Sequence, residues 1–535
     1  MAFKSPAGHL AWARARRRNR GGSALLLALF FLVALFFLAR AFQVLIPQEM
    51  RAALRMATDT QASLMADAGI QKTMAWIEFE LSNGREIASG TVRTDTVGEW
   101  SWTATVTPDA QSPPNGTSGL RVYTITSEAS LRGRRTRQVI AMMAQQNFSR
   151  FAWFQDTRAA GTQLTTEDTF DGPVHYNDVV QIGIQSGFFT SPTAPPVMFK
   201  STLTSASSAN TADGINYTLS GGTPYDSRGN PIPGRYERLL SGGRQALRTG
   251  VKRVKLPKNS DNIGQAAWGS TSAPPGAGSS GVYVNSAGLK AGGGVYVAGS
   301  VDDMTLSVES GNSVFKIKQG FTTTTVTEVR STAITAPNGV IVPTNSTLVV
   351  TGSQVKILQS LPNGVVYVDG DIRGIKGQNK GTHTIAANVK NGNEIVLKGN
   401  LSRSDTPLGQ SPNGTADNLG LVAASIRLPS SSVLPRNVNN PLYVYAALLG
   451  GSDNKTGLVI DSPGSGSAGT LALYGGMLIN KRSAIGSTDS SGRQTSGYIL
   501  ATHYDPFLAQ EPPPWFPTIS KLTLQRCWWE SPIVK

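Results

Sequence analysis

At 535 residues the chain exceeds what one hydrophobic core usually organises, so an anchor plus two domains is the natural division. Its 57 glycines, 16% charged residues and many short β-branched runs exclude a mostly helical enzyme and indicate a β-rich fold with many turns. The formal charge of +15 favours anionic partners, and the single cysteine, Cys527, excludes an intrachain disulfide, so burial and backbone pairing must hold the fold.

The first element in chain order is a basic stretch ending in glycine (Arg16, Arg17, Arg18, Asn19, Arg20, Gly21, Gly22), which meets an unbroken apolar run from Ala24 to Ala39. A secretory signal would follow its apolar run with a small-residue cleavage site, whereas here the apolar character resumes after Arg40 and continues to Ile46. A helix over residues 24–46 is about 35 Å long, the hydrocarbon thickness with a margin for tilt. Lys4, Arg14, Arg16, Arg17, Arg18 and Arg20, with no acid among them, hold the leader on the cytoplasmic side. Removing these six leaves 43 Lys and Arg against 34 Asp and Glu, a net +9.

This junction resembles a type IV prepilin. The resemblance implies cleavage between Gly22 and Ser23 by a prepilin peptidase, methylation of the new amino terminus, and residence in the inner (cytoplasmic) membrane with an extracytoplasmic headgroup. Assembly with other major and minor pilins into a cell-surface pilus, or a related pseudopilus, would follow. Major pilins place a Glu at the fifth mature position, where this chain has Leu27. Its absence resembles tip subunits, for which an uncompensated carboxylate in a dry helical core would be costly. Leu27 and Arg40 fall in the segment that the resemblance assigns to assembly. An ordinary single-span anchor is the alternative.

After Pro47, expected to end or kink the apolar helix, Met50, Leu54, Ala57, Gln61, Leu64 and Ala68, then Met74, Ile77 and Leu81, keep a spacing of three to four and predict an amphipathic continuation stopped at Asn83 and Gly84. Residues 66–77, ADAGIQKTMAWI, also resemble the helix of PilX-type minor pilins. Three alternating runs follow, EWSWTATV from Glu99, LRVYTITSEASL from Leu120 and RTRQVIAMM from Arg135, with Pro113, Pro114, Asn115 and Gly116 as a turn. They predict a small antiparallel sheet with one face on the helix. Such a helix on such a sheet is the pilin head.

From residue 148 to about 496 the helical period fades and apolar triplets recur before Gly-containing corners: GGGVYVAGSV, NGVVYVDGDI, GNEIVLKGNL and GTLALYGGML. The form suits a right-handed β-solenoid, with a β-sandwich as the alternative. FDGPVHYND from Phe170 and GYILATHYDPFLAQEPPPWFP from Gly497 resemble signatures of large minor-pilin-like proteins in which a β-solenoid interrupts the pilin sheet, a competence-associated tip pilin among them. That resemblance implies a C-terminal segment, residues 497–535, returning to the head. The expected fold class is therefore α+β: leader 1–22, helix 23–82, antiparallel sheet 83–147 and an inserted all-β domain 148–496.

The sequence offers little chemistry for catalysis. Asp302 with Asp303, and Asp369 with Asp371, are the only close acidic pairs in the repeats, and their placement suits solvated turns better than the paired carboxylates of a glycosidase. His9, His175, His383 and His503 lie far apart, no metal spacing or phosphate loop emerges, and no cofactor is expected. Cys527, beside Trp528 and Trp529, is expected to be buried packing. The densest charge is basic: Arg235, Arg238, Arg244, Arg248, Lys252, Arg253, Lys255 and Lys258, opposed only by Glu237. Converging on a phosphate backbone, these would bind DNA without sequence specificity. The alternative is a solvated loop in which Val251, Val254 and Leu256 pack while the charges face water. The expectation is a non-enzymatic minor pilin whose insert binds extracellular DNA during natural transformation. A tip adhesin for surface glycans and a membrane-tethered polysaccharide-degrading enzyme are the alternatives.

Overall fold

The computed structural model describes residues 9–82, 85, 87–108, 122–191, 197–219, 221–256, 260–269, 273–276, 278–284, 293–414, 416–431, 440–451 and 455–530, with side chains from residue 24 onward except 520, 521, 525, 529 and 530. Asn83, Gly84, the turn at residues 113–116, Gly292, Lys258 and the side chains of Ser23 and Trp529 lie outside it.

One continuous helix spans His9–Ser82 and runs through Pro47 rather than ending there. Losing one backbone donor mid-helix is tolerated in a segment this long. The apolar stretch at its start is long enough to cross a membrane, and none of its most apolar window is buried against the rest of the chain. Ala62, Ala66, Ile70, Thr73 and Ile77 then form a buried stripe at helical spacing. This stripe corrects the predicted face: Met50, Leu54 and Leu64 are exposed. Small residues are the reason, because Ala62, Ala66 and Gly69 let the helix axis come close to the sheet, where the longer side chains would not fit.

Against this stripe lies a five-stranded antiparallel sheet, in spatial order Thr91–Val97, Trp100–Pro108, Val122–Leu131, Arg134–Asn147 and Thr518–Glu530. Alternation sends Trp102, Ala104 and Val106, then Tyr123, Ile125 and Ala129, then Val139, Ala141 and Met143 toward the helix. The last strand comes from the far end of the chain and pairs antiparallel with Arg134–Asn147, placing Trp528 opposite Ile140 and Cys527 opposite Ala141. Cys527 is exposed on this edge strand, which corrects the expectation of buried packing.

The intervening residues form a large all-β region. A ladder of parallel strands runs Val295–Ala298, Val365–Asp369, His383–Ala387, Leu419–Ala423, Leu442–Gly450, Gly469–Ile479, Trp153–Gln155, Val174–Tyr176, Leu203–Ser205 and Leu247–Thr249. A second runs Asp303–Glu309, Ile372–Asn379, Glu394–Arg403, Ser425–Leu428 and Leu458–Ile460. Chain order and spatial order differ. The chain enters mid-ladder at Trp153, builds outward to Thr249, crosses to the opposite end and then stacks back toward its entry.

Both faces of the first ladder are buried, so its strands read as continuous apolar runs such as VYVA and LYVYAALLG. One face lines the interior with Val297, Val368, Leu421 and Trp153. The other, carrying Tyr296, Tyr367, Val422, Leu478 and Phe154, is covered by the helix Asp261–Trp268 and by Phe148, Phe151, Leu508, Phe516 and Ile519. These last five residues belong to the two segments that join the region to the head. Phe148 N also donates to Pro517 O at 3.2 Å, and Gln145 Nε2 to Ile519 O at 2.9 Å, so the connection is packed and hydrogen-bonded. An antiparallel arm, Asp303–Glu309, Asn312–Gln319, Thr322–Val329, Ser346–Thr351 and Gln354–Leu358, extends from the second ladder.

Candidate ligand-binding surface

The basic segment begins at the outer end of the first ladder. Arg235 and Arg238 sit on the short helix Arg235–Leu239, whose Tyr236 and Leu239 are buried. Arg235 Nη1 donates to Thr223 O at 2.8 Å and its guanidinium lies over the Phe189 ring. Arg238 Nη2 donates to Ser191 O at 3.2 Å and lies over Phe188. Arg244 Nη1 donates to Leu247 O at 3.3 Å and lies over Tyr236. These three guanidiniums fasten the end of the ladder, since planar groups with several donors suit carbonyl clusters and aromatic faces.

Beyond Thr249 the chain returns along the outside of the stack. Val254 and Leu256 pack on the apolar face around Phe154, while Lys252, Arg253 and Lys255 point to solvent. Backbone and side chain strap this segment down. Val251 N donates to Ser205 O at 3.0 Å, Val254 N to Asn177 Oδ1 at 2.8 Å, and Asn177 Nδ2 to Asp156 Oδ1 at 2.6 Å. Arg253 Nη2 then pairs with Asp156 Oδ1 at 3.1 Å.

The seven of the eight predicted residues that are described are therefore dispersed over the end cap and the returning strap. Arg248 projects outward from the terminal strand Leu247–Thr249, and with Lys252 it is exposed. Sequence reasoning missed the strap's anchors, Asp156 and Asn177. The run FDGPVHYND contained the second of them, but nothing in it signalled which later segment Asn177 would hold.

His175 is a corner residue within this anchor. Its ring stacks on Phe154 at 5.4 Å, Nε2 meets Asn177 Oδ1 at 3.0 Å and Nδ1 meets Thr204 Oγ1 at 2.8 Å. Burial holds its pKa below the ordinary histidine value. His503 stacks on Tyr474 at 4.5 Å and burial lowers it likewise. His383, fully buried, lies between Asn379 Oδ1 at 2.8 Å and Glu328 Oε2 at 3.3 Å, where it ties the antiparallel arm to the ladder.

The acidic pairs serve corners. Asp302 Oδ2 accepts from Gly320 N at 2.7 Å and its Oδ1 meets Arg373 at 3.0 Å, contacts that hold its carboxyl below the usual range. Asp303 Oδ2 accepts from Thr305 Oγ1 at 3.1 Å. Asp369 accepts from Tyr296 and Asn388, and Asp371 from Asn393 and the Glu394 amide. Each of these four carboxylates thus accepts hydrogen bonds from neighbouring turns and strands. Among the described residues no group of three or more His, Cys, Asp or Glu side chains is arranged to hold a metal ion.

No family model, curated protein or solved structure matches the chain.

Proposed function

We propose that this chain is a minor subunit of a type IV pilus or related pseudopilus, placed at the tip, and that its residues 148–496 form a right-handed β-solenoid displayed for ligand binding. The observation that carries the reading is the closure of the head: strand Thr518–Glu530 pairs with Arg134–Asn147 although about 370 residues of chain separate them. A sheet completed from both ends makes the region between an insertion, and the packed double connection holds that insertion at a fixed orientation on a helix that continues into the membrane-length apolar segment. The in-register parallel ladder supports the solenoid, because stacked coils bury a continuous core with little use of long-range hairpins.

The ligand we propose is extracellular DNA, approached through Arg248, Lys252, Arg253 and Lys255. Arg235, Arg238 and Arg244 are engaged in the end cap and contribute to the field more than to contact. A surface this small neutralises about three or four phosphates, so the logarithm of affinity should fall with a slope of about −3 against the logarithm of salt concentration. Fluorescence anisotropy of the detergent-solubilised chain with duplex DNA tests this. Salt-sensitive binding lost in Arg248→Glu/Lys252→Glu supports it. No binding at low salt removes DNA and leaves a minor pilin that contacts surface polymers. Gold labelling along the whole length of filaments, rather than at their ends, would remove the tip placement.

A further inference from the structure

Arg150 stands where the chain enters the all-β region, between the head strand Arg134–Asn147 and the strand Trp153–Gln155. Its side chain is half-buried, with the guanidinium 5.4 Å from the centre of the Phe151 ring. Among the described residues no carboxylate, carbonyl or hydroxyl accepts a hydrogen bond from its five N–H donors. Burial accordingly holds its pKa below the ordinary arginine value. Arg403 and Arg427, by contrast, each pair with two carboxylates. The carboxylates around the entry segment are committed to other cations: Asp156 to Arg253 at 3.1 Å, Asp171 to Lys200 at 3.6 Å and Asp505 to Arg403 at 3.2 Å.

A second unmet donor lies beside it. Tyr504 backs onto Gly172, where an added Cβ would overlap both Tyr504 Cβ and Ala152 Cβ, so the phenol and the entry segment share one corner. Burial pushes the phenol up to about 12 although the Arg150 charge opposes this, which leaves a neutral hydroxyl. That hydroxyl also has no hydrogen-bond partner among the described residues. A cation would be repelled here, and an apolar guest would leave both donors unmet. An oxyanion satisfies both, through charge-assisted hydrogen bonds.

The position relative to the strap indicates which oxyanion. Phe154, His175, Thr204 and Arg248 follow one another in register on successive parallel strands. The Phe151 ring, which carries Arg150, lies 5.7 Å from the His175 ring. Two strand spacings separate His175 from Arg248, about 10 Å, which is about three nucleotide steps along one DNA strand. The strap runs along the corner where these strands end, with Val251 N on Ser205 O and Val254 N on Asn177 Oδ1. Arg150 and Tyr504 occupy the corner where the strands begin, beside Pro173, whose carbonyl accepts from Ala152 N.

We propose that Arg150 and Tyr504 form a phosphate-binding site, which holds one phosphodiester group of the DNA strand that Arg248 and the strap also meet. The site rests on the DNA reading above and adds to it a contact at the root of the inserted region, about 100 residues before the basic run in the chain.

The test is fluorescence anisotropy of the detergent-solubilised full chain with duplex DNA across a salt series. Arg150→Gln should weaken binding about tenfold and make the salt slope shallower by about 1, because one phosphate keeps its counterion. Arg150→Lys should retain the slope, since the charge remains. Tyr504→Phe should weaken binding about fivefold with the slope unchanged, because a neutral donor displaces no counterion. An unchanged slope in Arg150→Gln, where Arg248→Glu/Lys252→Glu abolishes binding, overturns the site and leaves the DNA reading standing. Absence of DNA binding by the parent chain removes both. Phenylglyoxal, which modifies accessible guanidiniums, gives a readout on the unaltered chain should Arg150→Gln fail to fold. DNA should protect Arg150 from modification, located by peptide mass spectrometry. Equal modification with and without DNA, or protection by polygalacturonate alone, overturns the proposal.

Discussion

At Gly69 the long helix packs directly against the head sheet, and replacing it with alanine sets two effects against each other. In an ordinary helix the change is favourable by about 1 kcal/mol, because glycine loses more backbone entropy on folding. Here a Cβ would overlap Ser127 Oγ and sit 3.0 Å from Trp102 Cε3 and 3.1 Å from Trp102 Cδ2. Forcing a methyl into a packed core costs about 1–3 kcal/mol, so Gly69→Ala should destabilise the head by about 1 kcal/mol net. Ser127 Oγ is itself buried without a hydrogen-bond partner. Ser127→Ala alone should therefore stabilise by about 1 kcal/mol, through removal of an unsatisfied group. In the double variant the worst overlap is gone and the helix gain remains, so stability should equal or exceed that of the parent, with a coupling of about 1–2 kcal/mol. Urea denaturation in detergent, with hydrogen exchange of the amides in residues 100–108 and 122–131 as the local probe, measures all four corners. A stabilising Gly69→Ala, or a double variant as weak as Gly69→Ala, would refute the close-packing argument.

Three further outcomes follow from the geometry. Arg403, 3% exposed, holds Asp405 at 2.8 Å and the buried Asp505 at 3.2 Å, so Arg403→Leu should cost about 3–5 kcal/mol by leaving carboxylates unpaired, with partial recovery on adding Asp505→Asn in the same denaturation assay. Burial lowers the pKa of both His175 and His503, so between the folded and unfolded values the unfolded chain binds more protons and stability rises with pH. The melting temperature should accordingly fall as pH drops below about 6.5, and His175→Gln should flatten part of that slope. Severing the strap with Asn177→Ala removes the acceptor of the Val254 amide and the donor to Asp156, and should raise proteolytic cleavage in residues 251–256 while leaving hydrogen exchange in the head sheet unchanged.

How far the fold could be read depended on the physics behind each signal. The apolar run after Gly22 and the period-two alternation of EWSWTATV and VYTITSEASL are local patterns, and they fall on the long helix and on strands. The triplets before glycine corners also fall on strands, because a run buried on both faces has little freedom to be anything else. The helix face was misread because burial there is set by small residues and Gly69, whereas hydrophobic periodicity weighted the larger Met50, Leu54 and Leu64. Cys527 was misread because aromatic neighbours in sequence point to opposite faces of a strand, and the sheet edge was not visible.

The basic cluster shows the corresponding limit at the candidate site. Eight charges in sequence proximity looked like one patch, yet the chain turns at Thr249 and returns along the stack, so Arg235 and Arg238 serve the end cap and Arg253 meets Asp156. Those partners lie as much as 97 residues away in the chain, and charge density along a sequence carries no information about them.

The most direct test of the pilin reading is the intact mass of the protein extracted from membranes of cells that contain a prepilin peptidase. The account predicts a single mature chain beginning at Ser23, free of residues 1–22 and carrying a methylated terminus. Retention of the basic leader on a stable membrane-bound chain, or cleavage beyond the apolar run, would contradict it.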